Sequence, residues 1–465
     1  SCLPKTAWPP TYRAVLARQR HDVRDGAEAQ KITVLVQQLL LVALDGGGQL
    51  ERDADARHLR DRLRLIFAVR INKRDGLRQF GFALVVVGND QIGGERFIYM
   101  PTINLSGKGF TTGIDQNYGL SGPVYTRYEN NSITWEVGEK INLGIDLQLL
   151  NSLNIVVDIF RETRRDIFQK KGTIPTYLGT GNTDVFGNLA EMKNQGLDLS
   201  IDYNKAFSKD FYMNFKGTFT YAHNEITKYD EAPKYAFQSK VGQSANVSQG
   251  YLSNGLFLDE AEIDRYNQQM GSTLGAGDIK YLNVSNMHGY GDDIVDVDDW
   301  TWIGNPTVPE IVYGFGPSFK YKNWDFSFFF QGVAKTSLFM SGFHPFGDNS
   351  LRNVLQFVAN DRWSPTNQNV DAKYPRLTRK TSLNNTNPGN SGRTSDYWMR
   401  DGSFLKLKNM ELGYTFKRMR FYISGSNLLT FSKFDLWDPE QGGGSGLKYP
   451  TQRVFNVGFQ MTFNN

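Results

Sequence analysis

"INLGIDLQLLNSLNIVVDIF" (141–160) decides how the rest of the chain is read. In its first half Ile141, Leu143, Ile145, Leu147 and Leu149 alternate with Asn142, Gly144, Asp146 and Gln148, a period of two that only a strand satisfies. The second half follows after an Asn-Ser pair at 151–152, so the two halves form a hairpin with a short turn. The same alternation returns at the end of the sequence in "RVFNVGFQMTFNN" (453–465), where Phe455, Val457, Phe459, Met461 and Phe463 share one side. Between them lie "GLDLSIDYN" (196–204), "FYMNFKGTFTY" (211–221), "IVYGFGPSFKYK" (311–322), "WDFSFFFQG" (324–332), "FLKLKNMELGYTF" (404–416) and "RFYISGSNLLTF" (420–431). The pattern predicts an all-β fold of antiparallel strands.

Composition narrows the environment. The 465 residues are 40% hydrophobic and 13% aromatic, but no run of 18 uninterrupted apolar residues occurs, so helical membrane spans are excluded from the reading. A formal net charge of +4 is small for the length, and no basic stripe interleaved with aromatics tracks a nucleic-acid backbone, which makes nucleic acid a poor partner. A single cysteine, Cys2, rules out an intrachain disulfide framework and Cys-based zinc sites. The first residues lack the pattern of a signal peptide, so export implies a true N-terminus beyond the sequence in hand.

The connections are unequal. Links such as 322–324 and 417–420 are tight, whereas 222–310 and 333–403 are very long. Short turns on one rim and long loops on the other mark a transmembrane β-barrel, with an apolar stripe toward lipid and the small polar residues toward a wet lumen. Tyr221, Trp324 and Tyr414 at strand ends suit interfacial girdles. The competing class is a secreted all-β carbohydrate-binding protein, whose stripes would form a sandwich core.

Character changes near residue 93. Residues 1–92 are arginine-rich and poor in aromatics, and "LERDADARHLRDRLRLIFAVRINKRDGLRQF" (50–80) is charged and helix-compatible. This segment reads as a small helical domain or as the product of a wrong reading frame or assembly join, and residues 93–465 as the barrel portion.

No G-x-S-x-G elbow, phosphate loop, strand-linked GxGxxG or HExxH pair is present, and the five histidines are scattered, so the chain is not expected to be an enzyme. Two loop features remain. Asp292, Asp293, Asp296 and Asp298, with Asp299 beside them, in "GYGDDIVDVDDW" (289–300) offer carboxylates to calcium, against the plainer reading of a solvated acidic turn. Loop aromatics Tyr290, Trp300, Trp302, Phe343 and Phe346 could stack on sugar faces or line a peptide site, as could Tyr251, Phe257 and Tyr281; the plainer reading is loop packing. Asp438 and Glu440 either contact substrate or fix a turn.

Several strings carry a family resemblance: "ITWEVGEKINLGIDL" (133–147), "GNLAEMKNQGLDLSIDYN" (187–204), "KGTFTYAHNEI" (216–226), "IGNPTVPEIVYGFG" (303–316), "YWMRDGSFLKLKNMELGYTF" (397–416) and "SNLLTFSKFDLWDPEQGGG" (426–444). In collinear order from about residue 97, they resemble the C-terminal half of SusC/RagA-type TonB-dependent transporters of Bacteroidetes. The resemblance implies an outer-membrane, multi-pass barrel of 22 strands that imports oligosaccharides or peptides without a cofactor. It also implies a SusD-like surface lipoprotein as lid, and energy from the TonB complex acting through a plug and TonB box that have no counterpart in residues 1–92. The acidic loop departs from the family's D-x-N-G-D-G-x-I-D type, which weakens the calcium expectation. Phe459, Met461 and Phe463 resemble a terminal barrel-insertion signal. Roughly ten strands of a wider barrel cannot close alone, so the expected structure is an incomplete, curved sheet with two open edges.

Overall fold

The computed structural model describes residues 64–70, 76–89, 97–174 apart from 98, 184–342 apart from 267, 270–273 and 291, 353–378, and 394–463. Its main element is an eleven-stranded sheet. The strands are β1 (Arg64–Arg70), β2 (Gly76–Asn89), β3 (Glu136–Leu149), β4 (Leu153–Lys170), β5 (Phe186–Ala206), β6 (Phe211–Lys228), β7 (Ile311–Tyr321), β8 (Trp324–Ala334), β9 (Phe404–Phe416), β10 (Met419–Ser432) and β11 (Val454–Met461). Each pairs antiparallel with the next in chain order, so the sheet is a simple meander. Among the described residues β1 and β11 are its two open edges, as expected for a barrel portion.

Two strands lie where the sequence suggested helix. Residues 64–70 and 76–80 belong to β1 and β2, and β2 continues across the sheet by pairing Phe80, Phe82 and Leu84 with Ile145, Leu143 and Ile141. The expected boundary at residue 93 therefore falls after two strands of the sheet. The misreading has a physical source: the dense arginines of 50–80 mimic a solvated helix face, and they mask an alternation that becomes plain only from Gln79 onward. Residues 1–63 lie outside the described residues.

Register makes one face apolar from strand to strand. Leu147, Ile155, Ile201 and Gly217 lie in successive pairs, as do Leu143, Ile159, Leu197, Tyr221 and Ile311. Farther along, Phe319, Phe326, Leu412, Ile423 and Val457 continue the same face. Strand β9 does not alternate strictly, because Leu405 and Leu407 are out of phase with Met410, Leu412 and Tyr414. An extra residue, Lys408, bulges between Leu407 and Asn409 and restores the phase, while Asn427, at φ 56°, takes up the matching irregularity on β10. The face is solvent-accessible, with Val457 87% and Phe455 75% exposed. From Met419 to Phe431 it measures about 28 Å across, taking ~3.3 Å per residue, one bulge and a strand tilt of ~40°. That height is close to the ~30 Å hydrocarbon core of a bilayer.

The short links lie at one rim. Leu150 and Asn151 turn β3 into β4 with left-handed φ values of 51° and 50°, so the tight turn begins one residue before the Asn-Ser pair. Lys322 and Lys417, at φ 52° and 55°, turn β7 into β8 and β9 into β10. The links 90–135, 171–185, 229–310, 335–403 and 433–453 gather at the opposite rim. The first carries an isolated hairpin, Thr102–Thr112 with Tyr118–Arg127.

The buried core lies in these loops. Tyr251, Leu256, Ile279, Tyr281, Val295, Leu338, Met340, Val358, Trp363, Tyr374, Trp398 and Phe434 pack as one cluster, drawn from three of the sheet's connections and their short strands. Asp278, 1% exposed, holds Arg376 through both carboxylate oxygens (2.5 and 2.9 Å), tying the 229–310 loop to the 335–403 loop.

Candidate functional site

The face opposite the apolar one is polar and charged. Asn142, Asp158, Gly196 and Ala222 begin a series of small or polar residues that alternates with the aliphatic stripe. Near the short-turn rim Arg420 reaches from β10 to Asp325 on β8 and Glu411 on β9, a clamp across three strands. Toward the long-loop rim Arg164 bonds Glu162 (2.8 Å) and Glu136 (3.2 Å), and Lys140 lies 3.3 Å from Glu162. Charges of both signs, each near a partner, keep such a surface wet without leaving an isolated ion. A face of this kind lines an aqueous lumen when its sheet closes.

The loop mass carries the remaining candidates. Tyr251, Phe257 and Tyr281 are 3%, 0% and 0% exposed, so their role is packing. Trp300 packs edge-on against Tyr251 (5.9 Å between ring centres) beside the buried cluster, and the Trp302 indole N–H donates to the Ser239 carbonyl at 2.8 Å. Both are partly buried. Tyr290 is different: half exposed, its ring centre lies 4.1 Å from that of Tyr235, which in turn stacks on Phe237 (5.5 Å), and Phe237 stacks on His288 (4.7 Å). Lys234 sits over the Tyr235 ring and pairs with Asp298. Sequence reading chose Tyr290 but missed its three neighbours. Two aromatics in "YAF" (235–237) and a histidine two residues before Tyr290 were the available signal. Phe343 and Phe346 lie outside the described residues.

The acidic loop does not gather its carboxylates as calcium would require. Asp296 accepts the Asp298 N–H and caps the short 3-10 turn Val297–Asp299, Asp298 turns to Lys234, and Asp292 accepts the Ile294 N–H. Asp293 is exposed, and among the described residues no group of three or more acidic, His or Cys side chains is placed to hold a metal. Asp299, the last acid of the stretch, is the buried member: it accepts the backbone N–H groups of Ser285 (2.9 Å) and Asp296 (2.8 Å), while burial raises its carboxyl pKa. The loop spends its acids on its own backbone.

Asp438 and Glu440 also fix structure. Lys406, 1% exposed, points its ammonium at Asp438 and at Glu440 (2.9 Å), and Lys408, the bulged residue, pairs with Glu440 at 2.5 Å. Burial pushes both carboxyls up, but Lys406 with hydrogen bonds from the Glu440 backbone and Thr451 at Asp438, and Lys408 with Lys406 at Glu440, outweigh it and hold both below the usual carboxylate range. A polar cleft of about 370 Å³ opens elsewhere in the loops between Asp259, Glu262, Arg265, Lys280 and Asp371. At the end of the chain Phe459 and Met461 lie on the apolar face of edge strand β11, and Phe463 follows it, 78% exposed.

No family model matches the chain. It is similar to the TonB-dependent receptor P3 of Formosa agariphila, 25% identical over 381 residues, covering 74% of this chain and 36% of that protein. It is likewise 25% identical over 405 residues to the TonB-dependent receptor SusC of Bacteroides thetaiotaomicron, covering 81% of this chain and 37% of SusC. The chain thus spans under two-fifths of the length of these relatives. Among solved structures, the RagAB peptide transporter superposes with a TM-score of 0.59 at 20% identity, covering 84% of this chain and 41% of that one. The closed-closed RagAB peptide importer gives 0.58 at 21% identity. At that identity the structures show a shared fold; with the named relatives they support the resemblance to SusC-type TonB-dependent transporters. These relatives are receptors and transporters by name.

Proposed function

We propose that this chain is the C-terminal barrel portion of a SusC-type TonB-dependent importer of the outer membrane, taking up an oligosaccharide or a peptide. One observation carries the reading: an eleven-stranded meander has a continuous apolar face on one side, a charged face on the other, short turns at one rim and a folded loop mass at the other. In water that apolar face is a large uncompensated cost, whereas lipid covers it without any further protein layer. The polar face then borders the lumen, and the loop mass stands outside the membrane, where a SusD-like lipoprotein would cover it. The stack of half-buried Tyr235 and Phe237 with exposed His288 and Tyr290 is the substrate contact the geometry favours. Trp300 and Trp302 support the loops beneath it. TonB would act through a plug contributed by a longer protein, since open edges at β1 and β11 suit a sheet that continues. Phe459, Met461 and Phe463 at the last strand would serve barrel insertion.

A secreted carbohydrate-binding protein is the alternative, and its outward aliphatic face is what counts against it. Membrane fractionation with and without detergent separates the two: the importer reading expects the chain in outer-membrane fractions and aggregation once detergent is removed. A monodisperse chain in plain buffer would end it. Uptake of labelled oligosaccharides and peptides by cells with and without the intact gene then identifies the cargo class.

A further inference from the structure

On the apolar face, near its long-loop border, Ile141, Leu143, Ile159, Leu197 and Tyr221 line a groove of about 480 Å³ whose upper end is formed by Arg161 and Gln195. These positions are register neighbours: Ile141 opposes Arg161, Arg161 opposes Gln195, and Ile159 opposes Leu197, which opposes Tyr221. Other charged groups at this border have nearby partners. Arg165 pairs with Glu139, His223 bonds Glu310 (2.5 Å), and Lys335 lies 3.6 Å from Glu310. Lys193, one step farther up, has Glu225 opposite it in register. Arg161 is exposed and makes no ion pair among the described residues.

An unpaired guanidinium at the edge of a hydrocarbon-facing stripe either reaches past the border to water or finds an anion at the border. Here the second solution is prepared. Planar guanidinium donors match phosphate oxygens two at a time, the Gln195 amide supplies a further donor, and the groove directly beneath is apolar and long enough to take part of an acyl chain. We infer that Arg161, Gln195 and the groove below them bind one phosphorylated membrane lipid in the leaflet on the long-loop side. The inference rests on the membrane-barrel reading, since only a bilayer presents a lipid there. The lipid would fix the height of the β3–β5 region against the membrane surface.

The full chain, purified in dodecyl maltoside, is to be examined by native mass spectrometry with dioctanoyl phosphatidic acid, and with dioctanoylglycerol as the phosphate-free control. One phosphatidic acid should remain bound while dioctanoylglycerol is lost. Arg161→Gln should weaken retention about tenfold, the effect of losing a charge-assisted contact, and Arg161→Lys should recover part of it. Ile159→Trp should reduce retention by filling the groove with Arg161 still in place. Gel filtration of each variant establishes that it is folded. Equal retention by the wild type and Arg161→Gln overturns the site. So does equal retention of both lipids, or a polypeptide found covering the groove. Should the chain prove soluble and monodisperse without detergent, the barrel reading fails first; if it needs detergent and Arg161→Gln behaves as wild type, only the lipid site fails.

Discussion

Ile423→Arg tests which solvent the apolar face meets. Ile423 is 56% exposed in the protein alone and stands on β10 between Leu412 and Val457. It lies four residues above Met419, or about 10 Å above the short-turn border after allowing ~3.3 Å per residue and a tilt of ~40°. In a stripe about 28 Å high, it is then within about 4 Å of the middle. Arginine on the lipid face at mid-depth costs about 2–4 kcal/mol, and slightly less is expected here because the long side chain can lean toward the nearer border. We therefore expect about 2–3 kcal/mol, a shift of roughly 30- to 150-fold in the folding equilibrium. Ser424→Arg is the control: the next residue points to the polar face, opposite Glu411 and Asn456, and should cost under about 0.5 kcal/mol. The assay is urea titration of the chain in outer-membrane fractions, read by protease resistance. Equal and small effects of the two substitutions would refute lipid as the solvent of this face, since a water-exposed isoleucine has little to lose by becoming arginine.

Four further outcomes follow from the loops. Lys406→Met leaves Asp438 and Glu440 without their buried cation; both carboxylates keep some exposure, so about 2 kcal/mol is expected, near or below the usual cost of breaking a buried pair. Trypsin should then cut 433–453 faster than in the wild type, and unchanged cutting would remove the lysine from its assigned role. The same cluster sets a pH dependence: folded pKa values of Asp438 and Glu440 lie below the ordinary ones, so their stabilisation is present above the ordinary carboxylate range and fades as pH falls through the folded values. Acid should release this loop in the wild type, and Lys406→Met should lessen that acid sensitivity. Asp278→Asn should loosen the link between the 229–310 and 335–403 loops by about 2–3 kcal/mol, visible as faster hydrogen exchange in 274–281 and 353–378, whereas unaltered exchange would make the pair dispensable. Tyr290→Ala should weaken substrate binding about tenfold while leaving thermal stability unchanged; a stability loss without a binding change would mark the stack as mere packing.

Strand alternation made the sheet legible because the sheet has an apolar face and a polar face, so every second residue along a strand had to differ. It failed at β1 and β2, where arginines gave a false helical signature; the bulge at Lys408 interrupts the period inside a strand, 404–416, that the sequence still marked. The loops were less transparent. Tyr251, Phe257 and Tyr281 are the same residue types as a binding surface would use, and only burial separates them from Tyr290. The calcium expectation failed for a related reason: carboxylates close in sequence were turned to separate backbone and lysine partners, which spacing alone does not reveal. Asp438 and Glu440 proved to be half of a cluster whose other half, Lys406 and Lys408, lies more than thirty residues earlier.

The buried cluster of Trp363, Trp398, Tyr281 and Phe434 stands outside the sheet, while the sheet's own apolar residues face outward. Melting the loop mass hydrates those aromatics and should give the positive heat-capacity step of an ordinary globular domain. Loosening the sheet inside a membrane leaves its aliphatic face among lipid chains, where little water is restructured, and should give almost none. A calorimeter would therefore see this single chain as two materials: one that obeys the temperature curvature of water-folded proteins and can be weakened by cold, and one whose stability changes with temperature chiefly as the bilayer does.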